Sequence, residues 1–299
     1  MRVRLAAIGL LLVAVVAASP IPADGPLIDW QLVSRRPHDR EAWTQGLQLD
    51  AQGRLFESTG LLGRSSLREV DATSGVVLRR VALADDLFGE GLALVDDRLV
   101  QLTWTSGVAI DWDAETFQPI ERFAYAGEGW GLCHDGHRLV MSDGSASLTF
   151  RDAHTFETLG HVEVRWRGHG APRFNELECV AGVVWANLYP TDRIARIDPT
   201  IGEVTGLLDL SALVDEQHQA GDADILNGIA YDATSDTYLV TGKLWSEVYE
   251  IRLLDGDGAG ADADARAQSQ AVRTTQGWGA ETGGADDPAV HSPPAPAQR

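Results

Sequence analysis

The sequence predicts an all-β fold, a five-bladed β-propeller, on two observations. A short hairpin-like pattern recurs five times, opening on Gln45, Glu90, Trp130, Asn175 and Asn227, each followed by Gly or, once, Glu, and then by Leu or Ile. The copies start 45, 40, 45 and 52 residues apart. A period of about 40 to 50 residues with two strands per copy marks four-stranded blades set round a central channel. Because the inner strand of each blade begins near that channel, the five opening residues are expected to converge on one mouth.

In chain order, residues 1–18 read as a secretory signal: two arginines, an apolar run, then small residues near Ala17 and Ala18. An uncleaved membrane anchor is the alternative, disfavoured because the run is shorter than the ~20 residues a span prefers. Residues 19–27 form a short Pro-containing leader, and either reading puts the body outside the cytoplasm, secreted or periplasmic. Residues 28–254 are the propeller domain, long enough for one real core. A second repeat runs out of phase with the first: DATSG at Asp71, DAETF at Asp113, DAHTF at Asp152 and DPTIG at Asp198. Asp followed by Thr or Ser is turn chemistry, so these are the outer hairpins of the blades. Alternating stretches such as LRRVAL and HVEVRW run between them as strands. The segment VDEQHQAGDADILNG explains the 52-residue spacing; it is either a loop over the channel mouth or a surface decoration. Residues 255–299, rich in Ala, Gly, Asp and Pro, bury too little to offset their chain entropy and are expected to be a disordered acidic tail with an incidental Trp278.

The formal charge of −20, of which the tail carries −4, argues against nucleic acid and anionic lipid as partners. It suits a cationic substrate group such as an N-terminal ammonium. The eight histidines include no HxH or HExxH arrangement, so no zinc site is expected. Cys133 and Cys179 fall in adjacent blades at offsets that differ by one residue. Period-two alternation would then point them to opposite faces, so buried thiols are the default expectation and a disulfide the alternative.

Glu90 is the strongest chemical candidate. It lies between Gly89 and Gly91 with Phe88 beside it, at a position that points into the channel, where Trp104 and Trp130 would desolvate it. Desolvation raises a carboxyl pKa toward neutrality, which suits a group that takes a proton and returns it; the alternative is a structural glutamate bonded between blades. Trp130, flanked by Gly129 and Gly131, and Trp104 suit the walls of a small pocket better than core packing. Trp185 is expected to pack between blades. Asn175 and Asn227 offer donors and acceptors at the mouth, or serve as turn residues. Lys243, in VTGKLW, stands in the fifth copy where Trp104 stands in the second; it would pair with Glu90 or stabilise an oxyanion.

WTQGL, STGLLGRSSLREVD, FGEGL, LTWTSGVAIDWDAETF, GEGWGLCHDGHRLVMSDGSASLTFRD, NELECVAGVVWANLYPTDRIARID, LNGIAYD and VTGKLW, in this order, resemble the motifs of the glutaminyl-peptide cyclotransferases of plant and bacterial type, from about Arg36 to Leu253. The resemblance implies a five-bladed propeller, unrelated in fold to the zinc-dependent animal enzymes, that converts N-terminal glutamine of peptides or proteins to pyroglutamate with release of ammonia. It implies Glu90 as catalytic acid/base, a substrate pocket that includes Gln45, Trp104, Trp130, Asn175, Tyr189 and Lys243, and no metal in catalysis, with a structural calcium on the channel axis as an allowed companion. Trp is usual in the family where this chain has Tyr189, and Phe is frequent where it has Trp43; both departures concern pocket shape rather than reaction. A monomer is expected. Two other classes compete: a lactonase-like propeller hydrolase with a divalent ion held by Glu90, Asn175, Asn227 and Asp143, and a non-catalytic binding propeller.

Overall fold

The computed structural model describes residues 26–171 and 173–254. The signal expected over 1–18, most of the leader of 19–27 and the tail expected over 255–299 lie outside these residues.

Five antiparallel sheets follow one another round an axis, as the repeat predicts. Strand β1 (Trp30–Pro37) comes first in the chain and joins the last blade. Blade I is β2 (Thr44–Leu49), β3 (Leu55–Thr59), β4 (Ser66–Val70) and β5 (Val77–Ala82). Blade II is β6 (Gly89–Val95), β7 (Arg98–Thr103), β8 (Val108–Asp113) and β9 (Pro119–Ala124). Blade III is β10 (Leu132–His134), β11 (Arg138–Ser142), β12 (Ser147–Asp152) and β13 (Thr158–Glu163). A small ribbon, β14 (Arg165–Trp166) with β15 (His169–Gly170), edges blade IV, which is β16 (Phe174–Val180), β17 (Val183–Leu188), β18 (Arg193–Asp198) and β19 (Glu203–Asp209). Blade V is β20 (Leu226–Asp232), β21 (Thr237–Gly242) and β22 (Glu247–Leu253), and β1 completes it from Trp30 opposite Leu253 to Pro37 opposite Glu247. This pairing of the first strand with the last closes the ring and leaves no open gap between blades I and V.

The outer hairpins are the predicted Asp turns. Asp71 Oδ1 accepts the Ser74 amide at 2.7 Å, Asp113 that of Thr116 at 2.7 Å, Asp152 that of Thr155 at 2.8 Å and Asp198 that of Thr200 at 2.8 Å. The core lies between blades rather than at one centre. Phe56 and Leu67 of blade I pack with Leu92 and Leu99 of blade II; Ala93 and Val100, from the other face of blade II, pack with Leu132 and Leu139 of blade III. Trp185 packs between blades IV and V against Tyr238, as expected.

Two expectations need correction. Cys133 and Cys179 form a disulfide, with Cα atoms 5.4 Å apart. Opposite alternation phase is what allows it: adjacent blades present opposite faces to each other, so Cys133 on blade III and Cys179 on blade IV point into the same interblade cluster. The segment before blade V is not simply a loop, since it begins with helix α1 (Ser211–Ala220), whose Leu213, Val214 and Gln217 are buried. Leu213 and Val214 extend the cluster around Trp245 and Tyr249, and Gln217 Nε2 donates to Tyr249 Oη at 2.7 Å. The helix is thus a packed prop for blade V.

The disulfide closes a chain segment of 46 residues between two blades, which restricts the unfolded chain. Replacing both Cys133 and Cys179 by Ser should lower unfolding free energy by about 2–4 kcal/mol with the fold retained, measurable by denaturant titration followed by circular dichroism.

Candidate active site

Each opening residue of the repeat sits at a β-bulge. Register slips occur in the inner strands between Thr44 and Gly46, Gly89 and Leu92, Phe174 and Leu177, and Leu226 and Ile229. In blade III, Trp130 and Gly131 both face Ser142 through backbone bonds of 3.0 Å. A bulge re-aims a side chain at a strand end, and here it turns four of the five toward one cavity of about 280 Å³ at the mouth.

That cavity is lined by Trp43, Gln45, Phe88, Glu90, Trp104, Trp130, Asn175, Tyr189 and Lys243. All seven expected site residues are among them: Glu90, Gln45, Trp104, Trp130, Asn175, Tyr189 and Lys243. Asn227 is not in the lining. It stands behind Gln45, donating from Nδ2 to Gln45 Oε1 at 3.0 Å, while Gln45 Nε2 donates to Glu90 Oε1 at 2.8 Å. Gln45 therefore orients Glu90 as well as forming wall. Asp143 is also absent from the lining; its Oδ1 caps the turn at Ser145. The four residues that a lactonase-like metal site would need do not share one cavity.

Glu90 is 6% exposed. Burial is the main cause that pushes its carboxyl well above the ordinary range; Lys243 pulls it down and Glu128 pushes it further up. Burial holds the Lys243 ammonium below its usual value, against the attraction of Glu90 and Asp224. Lys243 Nζ lies 5.5 Å from the centre of the Trp43 ring, so an indole face carries part of the cation's solvation. Asn175 is buried, and its Oδ1 has no donor among the described residues.

Glu128 is the residue that the repeat did not reveal. Its Oε2 accepts both indole N–H groups, from Trp104 at 2.7 Å and from Trp130 at 2.8 Å. Trp104 also packs edge-on against Phe88 and Trp130 against Tyr189, with ring centres 5.7 and 5.5 Å apart. The aromatic walls are thereby fixed in pairs. Two signals were available: Glu128 precedes Trp130 by two residues, and Trp43 precedes Gln45 by two, the spacing of one strand face.

Below the cavity the axis is closed by carboxyls. Glu176 takes the place that glycine holds in the other copies, and its Oε2 accepts the Ile229 amide at 2.8 Å while Oε1 accepts that of Leu47 at 3.4 Å. Glu178 Oε2 accepts from Gln48 Nε2 at 2.7 Å across the channel. Burial pushes Glu178 up to about 8 and Glu176 well above its usual value, the latter also raised by Glu178. Calcium requires six to eight free oxygens, whereas Glu176 has an N–H on each oxygen, and the described residues contain no group of three or more acids, His or Cys placed to hold an ion. These axial residues do not fit the structural calcium that the family resemblance allows.

A family model described as glutamine cyclotransferase matches residues 5–253. The chain is 39% identical over 226 residues to a glutaminyl-peptide cyclotransferase of Arabidopsis thaliana, covering 75% of this chain and 71% of that protein. It is also similar to the crystal structure of Myxococcus xanthus glutaminyl cyclase, with a TM-score of 0.72 and 37% identity over 78% of this chain and 100% of that one.

The Glu90 carboxyl should titrate well above the ordinary range. Glu128→Gln should lower that value by removing a repelling charge, and Lys243→Met should raise it by removing an attracting one; carboxyl carbon NMR across a pH series measures both shifts.

Proposed function

The chain belongs to the glutamine cyclotransferase family, and we propose that it is a glutaminyl-peptide cyclotransferase that closes an N-terminal glutamine to pyroglutamate with Glu90 as general acid/base. The observation that carries this reading is a single buried carboxyl, oriented by Gln45 and enclosed by indoles, with one cation, Lys243, and one side-chain amide, Asn175, lining the same cavity.

The chemistry assigns each group a task. Glu90 accepts a proton from the terminal ammonium, and the freed amine lone pair forms a bond to the side-chain amide carbon. Negative charge gathers on the amide oxygen, where the Lys243 ammonium stabilises it. The Glu90 proton passes to the amide nitrogen, its bond to carbon breaks, and ammonia leaves as the surplus proton on the ring nitrogen returns to Glu90. One carboxyl serves each of these transfers best when its pKa is raised toward the working pH, and burial shifts Glu90 in that direction. Asn175 presents its side-chain amide to the polar atoms of the substrate, and the paired aromatic rings exclude water from a glutamine side chain that must fold back on its own amine.

The acidic body favours approach of an ammonium-bearing terminus. We place the enzyme outside the cytoplasm, from the signal arrangement at its start, and acting as a monomer. No helix among the described residues is long and apolar enough to cross a membrane.

Glu90→Gln should lower kcat by 10² to 10⁴, about 3–5 kcal/mol of transition-state stabilisation, with folding intact. Ammonia release from a short Gln-initiated peptide, with circular dichroism as the folding control, measures it; near-normal turnover would remove Glu90 from the role.

A further inference from the structure

A second cavity, about 100 Å³, opens on the other side of the Trp43 wall. Trp43 lines both cavities. Gly60 lines the second one, and a Cβ there would lie 2.4 Å from the Phe88 ring and 3.1 Å from Trp43. Without a side chain at that position, the partition between the cavities is only as thick as these rings.

The new cavity is cationic in an acidic protein. Its lining includes Arg64, Arg68 and Arg80 against Asp39 and Glu41. Arg68 and Arg80 are directly opposite each other on β4 and β5, and Glu57 continues the row on β3. Arg68 is 5% exposed and engaged: Nη1 donates to Asp39 Oδ2 at 2.8 Å and lies 3.7 Å from Glu57 Oε2. Arg64 and Arg80 are exposed and have no carboxylate partner among the described residues; Arg80 Nη2 donates only to the backbone oxygen of Arg64, at 3.1 Å. Two guanidinium groups without a carboxylate partner therefore share this lining with Glu41.

We propose that this cavity is an acid-recognising subsite, holding a side-chain carboxylate of the peptide at the second or third residue, just beyond the glutamine that cyclises. The proposal rests on the cyclotransferase reading. A planar guanidinium pair matches a carboxylate in geometry as well as charge, and a cavity of this size admits the tip of one acidic side chain. Trp43 makes the connection: the glutamine lies on one of its faces, and the chain that follows crosses its edge toward Arg64 and Arg80.

The test is kcat/KM for C-terminally amidated tetrapeptides that begin with Gln and carry Glu, Gln or Lys at position two or three, so that the only variable charge is a side chain. In the wild type, Glu at one of these positions should exceed Gln by about tenfold, as expected of a charge-assisted contact. In the Arg64→Ala, Arg80→Ala double variant that ratio should fall to about one, and in Arg64→Glu, Arg80→Glu it should invert in favour of Lys, with melting temperature as the folding control. A wild-type ratio near one at both positions, or a tenfold ratio that persists in the double alanine variant, would overturn the subsite while leaving the enzyme's reaction intact. No turnover of any peptide would instead overturn the cyclotransferase reading, and the subsite with it.

Discussion

The structure depends on how closely the five inner strands approach one another at the channel. A Cβ on Gly46 would lie 2.6 Å from the Leu92 amide nitrogen, one on Gly91 2.5 Å from that of Leu132, and one on Gly131 2.1 Å from the Asn175 carbonyl oxygen. Backbone meets backbone there, as in the 2.7 Å bond from the Gly91 amide to the Trp130 carbonyl. Only glycine tolerates such contact, so the residue after the opening position is fixed by packing in blades I to III. The opening residue itself is then pushed out at a bulge. Glu176 is the informative exception: with a long side chain in place of hydrogen, it fills the axis and ties blade IV to Leu47 of blade I and Ile229 of blade V. The floor of the site thus follows from one local rule and a departure from it.

That geometry sets the electrostatics. A carboxyl brought 6% exposed to the mouth of a narrow channel loses most of its hydration. Its remaining partners decide what it becomes. Asn227 orients Gln45, Gln45 donates to one Glu90 oxygen, and Lys243 balances the charge from across the cavity. Glu128 works on two levels, since it holds both indoles through their N–H groups and adds a second negative charge that discourages ionisation of Glu90. The wall that shapes the pocket and the charge that tunes it are one residue.

Much of this was legible from the repeat. Periodicity gave blade number, and alignment of the copies gave six of the nine lining residues without any structural input; Tyr189 came from the family resemblance. What escaped had physical causes. Alternation within one sheet disfavours the Cys133–Cys179 bond, whereas facing blades reverse its sense and allow it. Helix α1 was hidden by a weakly amphipathic sequence whose buried face is only Leu213, Val214 and Gln217. The part of β1 in closing blade V carries no motif, because an outermost strand is specified by backbone pairing and half-buried alternation rather than by particular side chains. Glu128 stands two residues before the opening position of its copy, and its role depends on two indoles that come from different blade junctions. The arginine cavity had no sequence signature, since Arg64, Arg68 and Arg80 converge only once β4 and β5 are paired.

If burial between tryptophans makes Glu90 a proton carrier with a pKa well above the ordinary carboxyl range, the pH dependence of kcat/KM for a Gln-initiated peptide will carry its titration. An acidic limb is expected whose apparent pKa lies well above 4.5, the ordinary value for a glutamate, and which is absent from the residual activity of a Glu90→Gln variant. An acidic limb at the ordinary value, or one unchanged by the substitution, would contradict it.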